Sequence, residues 1–299
     1  MGLRESFRDF RDWCPQPPDR LPTKLKRYSM PIAAVLTATL ILSMSFFVFS
    51  SSLMSHPTVP ILLLANGAST SSDDWSMFLH DSAHTGSSTG SAPKTSAILW
   101  NFSRSNNPLE SSPAVVNGSV YVGSTNGNIY CINATTGGQE WVNFNITQEV
   151  FSSPAVAEGY VYFGGLDGSI YCLNAYTGAL KWNVTTGNFN WIRSSPAMAN
   201  GYVYIEASDG TVYCLDALTG AKIWTSPTGG SFSSSSPAVV GGYVYVGSWD
   251  DNVYCLDALT GTNVWIYPSG GPVISSPAVA GGYVYVQSGD GNIYCLDAS

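Results

Sequence analysis

Positive charge is scarce in this sequence, and scarcest where most of the chain lies. Seven of the twelve Lys and Arg residues fall within residues 1–30 (Arg4, Arg8, Arg11, Arg20, Lys24, Lys26 and Arg27). Residues 73–299 hold five basic and sixteen acidic side chains, a net charge of −11. Binding a phosphate backbone needs clustered Lys and Arg, so this body argues against a nucleic-acid partner. Helical periodicity is also missing from residues 95–299, which points away from any helical fold there. Between Arg27 and Asp73 there is no Asp, Glu, Lys or Arg at all.

That uncharged gap contains Met30–Met54, an apolar run long enough to span a bilayer as a helix. Lys24, Lys26 and Arg27 precede it and acid dominates after it, so the positive-inside rule places residues 1–29 in the cytoplasm and the body outside. The expectation is a single-pass signal-anchor over residues 30–54, then a linker and lead-in over 55–94. The alternative is a secreted protein, cleaved near the small residues of Leu62–Thr70.

What the chain has in plenty is itself. The proline of Ser-Ser-Pro-Ala falls at Pro113, Pro154, Pro196, Pro237 and Pro277, and a cysteine falls at Cys131, Cys172, Cys214, Cys255 and Cys295. Both series repeat every 40 to 42 residues, which marks an array of identical supersecondary units. Each unit reads as four strands. Ser-Ser-Pro-Ala-Val is a short first strand. Gly-Tyr-Val-Tyr-Val alternates as a second, Asn-Val-Tyr-Cys-Leu-Asp-Ala is a third, and Ala221–Thr225 typifies the fourth. Asn-Gly, Asp-Gly and Gly-Gly pairs join the strands and supply the positive φ of tight hairpins.

A four-stranded unit of this length is a propeller blade. A lone blade exposes both faces of its sheet, and stacking blades about an axis buries them. A tryptophan closes the fourth strand at Trp141, Trp182, Trp224 and Trp265, but the fifth copy stops before reaching one. Trp100 stands before the first complete unit. The expectation over residues 95–299 is therefore an all-β, five-bladed propeller. The strand around Ala97–Phe102 would complete the last blade, because open ends would leave bare sheet edges. The rival is part of a larger ring completed by another chain.

Cys214–Trp224, Cys-Leu-Asp-Ala-Leu-Thr-Gly-Ala-Lys-Ile-Trp, resembles the tryptophan-docking motif of the pyrroloquinoline-quinone repeat family. The copies ending at Trp141, Trp182 and Trp265 resemble it equally, and Asp73–Gly86 resembles the family's lead-in segment. The resemblance implies a propeller whose Trp100, Trp141, Trp182, Trp224 and Trp265 dock one blade on the next. The family includes quinone-dependent dehydrogenases and non-catalytic assembly lipoproteins. The adjacent Cys-Cys pair of many of those enzymes is missing, and no Asp, Glu and Lys set stands out as base and calcium ligands, so no catalytic residue and no cofactor is assigned. No Cys follows the apolar run to carry lipid.

The repeated cysteines sit too far apart for disulfides if they occupy equivalent strands of neighbouring blades, about 10 Å or more. Buried free thiols are expected, and no metal site. Asp167, Asp209, Asp250 and Asp290 recur at hairpin tips as turn formers. Departures from the repeat are where function can hide. They fall in the loops from each fourth strand to the next first strand, which share a face with the turns between second and third strands. Glu110, Glu149, Phe151, Trp191, Arg193, Phe232 and Trp249 are the candidate ligand-binding residues around the channel mouth. Aromatic platforms with a few charges suit a protein or glycan partner. The expected function is a membrane-anchored, extracellular binding or scaffolding module. The alternatives are a quinone-dependent oxidoreductase and a purely structural surface protein.

Overall fold

A computed structural model describes residues 74–298, except 89, 91–95, 105–106, 144–145, 147, 188–189 and 232–233. Met30–Met54 and Phe232 lie outside the described residues. Among the described residues no helix is long and apolar enough to cross a membrane.

The described chain is all-β. The first sheet holds β1 (Ala114–Val116), β2 (Ser119–Gly123), β3 (Ile129–Asn133) and β4 (Gln139–Asn143). The second holds β5 (Ala155–Ala157), β6 (Tyr160–Gly164), β7 (Ser169–Asn174) and β8 (Leu180–Thr185). The third holds β9 (Ala197–Ala199), β10 (Tyr202–Glu206), β11 (Thr211–Asp216) and β12 (Lys222–Pro227). The fourth holds β13 (Ala238–Val240), β14 (Tyr243–Gly247), β15 (Asn252–Asp257) and β16 (Asn263–Pro268). The last holds β17 (Ala278–Ala280), β18 (Tyr283–Gln287) and β19 (Ile293–Asp297). Neighbouring strands pair antiparallel in sequence order, and first strands of successive sheets lie side by side, β1 with β5, β5 with β9, β9 with β13 and β13 with β17. Sheets that meet along their first strands radiate from a common axis, which is the propeller arrangement.

Local chemistry explains each turn. Asn117-Gly118, Glu158-Gly159, Asn200-Gly201, Gly241-Gly242 and Gly281-Gly282 all have both φ angles positive, as a two-residue hairpin requires. The turns between second and third strands are built differently. Only one residue there is left-handed, Gly127, Gly168, Gly210 or Gly291, with Asp251 taking that place in the fourth sheet. The preceding Asp or Asn instead bonds forward, as Asp167 Oδ1 accepts from Ser169 N at 3.0 Å.

The turn from third to fourth strand carries the docking. Asp216 Oδ1 accepts from Thr219 N at 2.8 Å and from Thr219 Oγ1 at 2.6 Å. These bonds hold the Asp216 carboxyl below its usual range. The glycine that follows has positive φ and lies beneath the indole of the preceding sheet. A Cβ on Gly178 would come 2.5 Å from Trp141. The indole N–H then donates across the seam: Trp100 to Ala134 O at 2.8 Å, Trp141 to Ala175 O at 2.8 Å, Trp182 to Ala217 O at 2.9 Å and Trp224 to Ala258 O at 3.0 Å. Trp265, Leu296 and Ala298 pack against one buried cluster that joins the fourth and last sheets.

Inside each seam a second-strand tyrosine meets the tryptophan with ring centroids 5.9 Å apart, as for Tyr121–Trp141, Tyr162–Trp182, Tyr204–Trp224 and Tyr245–Trp265. Val161, Leu173, Val203, Leu215, Val244 and Leu256 are at most 1 % exposed. Full burial of such a side chain contributes about 1.5–3 kcal/mol. Cys131, Cys172, Cys214 and Cys255 are free and buried among them, and Cys295 is free and exposed.

The last sheet differs from the closed ring expected above. Among the described residues β19 has no fourth strand beside it. Residues 96–102 form no strand, and Ile98 and Leu99 are 85 % and 88 % exposed. The Trp100 indole is committed to the first sheet, donating to Ala134 O as the fourth-strand tryptophans donate to their neighbours. The face that other sheets bury is consequently open here: Ile293 is 78 % exposed, whereas its counterpart Val253 is fully buried.

Candidate functional site

The loops entering each sheet and the turns between its second and third strands meet on one side of the sheets. Thr125 N donates to Pro108 O, Leu166 N to Glu149 O, Ser208 N to Trp191 O and Gly289 N to Pro272 O, all at 2.8–3.0 Å. The loops between sheets are also tied back to the sheet they leave, as Val150 N donates to Ser124 O at 3.0 Å and Val273 N to Ser248 O at 2.9 Å. Below this rim runs a belt of serines. Ser112 N donates to Ser153 Oγ, Ser153 N to Ser195 Oγ, Ser195 N to Ser236 Oγ and Ser236 N to Ser276 Oγ, at 2.9–3.0 Å. The Ser-Ser-Pro motif therefore links sheet to sheet, and the strand begins only after it.

This frame positions the candidate residues. Glu110, Phe151 and Arg193 occupy the same place in three consecutive loops, immediately before Ser-Ser-Pro. The Arg193 guanidinium lies over the Phe151 ring, 4.8 Å from its centroid, which joins two loops across a seam. Trp191 is 42 % exposed and Trp249, on the turn after β14, is 45 % exposed. Glu149 is half-buried, and Glu110 and Arg193 are exposed. Phe232 lies outside the described residues.

The axis itself is occupied by the chain. Trp75 exchanges two backbone bonds of 2.7 Å with Val115 of β1, and Ser76 O accepts from Val156 of β5 at 2.7 Å. After a turn through Met77–His80, Ser82 O accepts from Val239 of β13 at 2.6 Å and Ala83 O from Val279 of β17 at 2.9 Å. An apolar hollow of 420 Å³ remains beside this segment, lined by Trp75, Phe78, Leu79, Ser112, Pro113 and Val115. Pyrroloquinoline quinone is a flat tricarboxylate and would need cations. The four described Lys and Arg residues lie instead over aromatic rings: Arg104 over Phe102, Lys181 over Tyr160, Arg193 over Phe151 and Lys222 over Tyr213. None of them lines the hollow, and the described residues do not fit that cofactor.

Two features went unread in the sequence. Glu206 is fully buried at the end of β10, where the first, second and fourth sheets carry Gly123, Gly164 and Gly247. Thr228 Oγ1 donates to Glu206 Oε1 at 3.3 Å. Aligning the copies column by column exposes this substitution, since a Cβ on Gly164 would meet Ile192 at 2.2 Å. The lead-in segment's route across the axis has no comparable signal, because its hydrogen bonds to the first strands are made by backbone atoms.

Residues 89–210, 145–236 and 208–299 match the family described as outer membrane protein assembly factor BamB. No curated protein matches the sequence. Among solved structures the fold is similar to BamB from Moraxella catarrhalis, at 23 % identity and TM-score 0.53, covering 60 % of this chain and 58 % of that one. It is similar to quinohemoprotein alcohol dehydrogenase ADHIIG from Pseudomonas putida HK5, at 20 % identity and TM-score 0.66, covering 76 % of this chain and 46 % of that one. The quinohemoprotein alcohol dehydrogenase from Comamonas testosteroni matches at 19 % identity and TM-score 0.64, covering 75 % and 47 %. The chain thus spans about half the length of these proteins. At such identities the likeness is one of fold.

Proposed function

The chain belongs to the PQQ-like repeat family described as outer membrane protein assembly factor BamB, and from that premise we propose that it is a non-enzymatic scaffold presenting its channel-mouth face to a protein partner. The observation that carries this reading is the Phe151–Arg193 stack, held on a rim of backbone bonds with Trp191 and Trp249 exposed on the same side. Exposed aromatics and arginine on a rigid frame are what protein-binding hot spots use. The test is cross-linked capture from the native membrane by full-length protein. Phe151→Ala, Arg193→Ala, Trp191→Ala and Trp249→Ala should each weaken capture about tenfold or more, an anchor's worth. Leu218→Ala, on the opposite turns, should leave it unchanged. Capture indifferent to all four would remove the mouth as the site, and signal on a glycan array alone would make the partner a sugar.

The same reading places the body outside the cell, held by Met30–Met54 as an uncleaved anchor. Its support is the length of the apolar run and the basic residues before it. Protein released by alkaline carbonate, with a new N-terminus between Leu62 and Thr70, would show a cleaved leader instead.

Completion of the last sheet by Ala97–Phe102 belongs to this proposal too. Its support is that Trp100 already docks on Ala134 as a fourth-strand tryptophan does, while β19 lacks a fourth strand. Spin labels at Leu99 and Ile293 should report one short separation that survives dilution with unlabelled protein. A short separation lost on dilution would mean closure by a second copy, and a long one would mean an open array.

A further inference from the structure

Residues Trp75–Gly86 cross the axis and bond to the first strands of four sheets. Its hydrogen bonds to those strands are made by backbone, with carbonyls at Trp75, Ser76, Ser82 and Ala83 receiving the amides of Val115, Val156, Val239 and Val279. The segment therefore ties the first sheet to the last. It is held there in a strained form, for Leu79, His80 and His84 all have φ between 53° and 81°. One side chain closes the far end: His84 is 2 % exposed, and its Nδ1 lies 2.9 Å from Pro277 O. Phe78 covers the imidazole edge-on at 5.4 Å.

We propose that Trp75–Gly86 is a pH-released strap: docked, it closes the axis and clamps the last sheet to the first, and protonation of His84 frees it. This goes beyond the binding reading and does not depend on it.

The neutral imidazole donates Nδ1–H to the Pro277 carbonyl. Burial lowers its pKa, opposed by that bond and by the charge of Asp81. Asp81 is the charged group that acts on it, and its carboxylate is engaged by Ala83 N, Thr85 N and Thr85 Oγ1. His80, the other titratable group on the strap, has its Nδ1 3.5 Å from Asp81 Oδ2. The strands beneath, β1, β5, β13 and β17, carry only Ala and Val. A histidine whose pKa falls on docking favours the docked state fully above its free value of about 6.5 and loses that advantage as pH drops below it.

The test is amide hydrogen exchange on the full-length protein at pH 7.5 and 5.0, corrected for intrinsic rates. Protection of Val115, Val156, Val239 and Val279 should fall together by about tenfold at the lower pH, while amides of β7 and β15 hold. His84→Asn keeps a neutral donor and should abolish the step, whereas His80→Asn should retain it. Unchanged protection at pH 5.0 would overturn the strap, as would a step surviving in His84→Asn or lost in His80→Asn. An equal loss in β7 and β15 would also overturn it, because that is general unfolding.

Discussion

Trp100, Trp141, Trp182 and Trp224 each touch two kinds of atom across the seam, a backbone carbonyl and the bare Cα of a glycine. Trp224 is 8 % exposed, so Trp224→Ala should cost about 3–5 kcal/mol in urea unfolding, like other buried aromatic truncations. Trp191→Ala should cost no more than about 0.5 kcal/mol, as surface changes do. Equal losses would mean that the two residues are not core and rim. The thiols divide in the same way. Burial pushes Cys172, Cys214 and Cys255 up to about 12, and burial together with Glu140 does the same for Cys131. At pH 8 a maleimide should therefore label Cys295 in folded protein but reach these four only after unfolding. Raised thiol pKa values stabilise the fold below the free value of 9.0 and lose that contribution as pH climbs towards 12, so the denaturation midpoint should decline above about pH 9. At this scale the sequence was highly legible. Tryptophan, the Thr-Gly turn and cysteine recur in fixed columns, and only a shared environment explains a shared column. Glu206 and His84 were missed because each occurs once.

Strands and turns were legible for a different reason. Alternating Tyr and Val between left-handed turn residues admits few other readings. Pattern and structure part at the first strand, where the sequence pattern includes Ser-Ser-Pro in the sheet. Those serines bond to the neighbouring sheet, and the strand proper is only three residues long. Nothing local in Ser-Ser-Pro announces a partner 41 residues away, so pattern alone could not find the belt. It can be tested singly. Ser195→Ala removes the acceptor for the Ser153 amide in a site where both residues are buried. An unsatisfied buried donor costs about 1–3 kcal/mol, and calorimetry should show that loss, whereas Ser88→Ala in the exposed lead-in should be silent.

Ring closure is what the sequence pattern constrains least, because it depends on the rotation between successive sheets, summed over the whole array. No residue encodes that angle; it emerges from packing at every seam. An array whose units touch only their neighbours has a stability that is nearly a sum of local terms. Trp141→Ala and Trp265→Ala lie in separate seams and should combine additively within about 0.5 kcal/mol. A double-mutant cycle showing larger coupling would mean that the seams communicate around the axis.

The indole recognises main-chain atoms of its neighbour, so one module can follow any other that ends its third strand in the same turn. A gene that duplicates or deletes one such cassette still encodes valid junctions throughout. The junctions themselves therefore set no limit on copy number, while each position within the motif is held by the contact it makes.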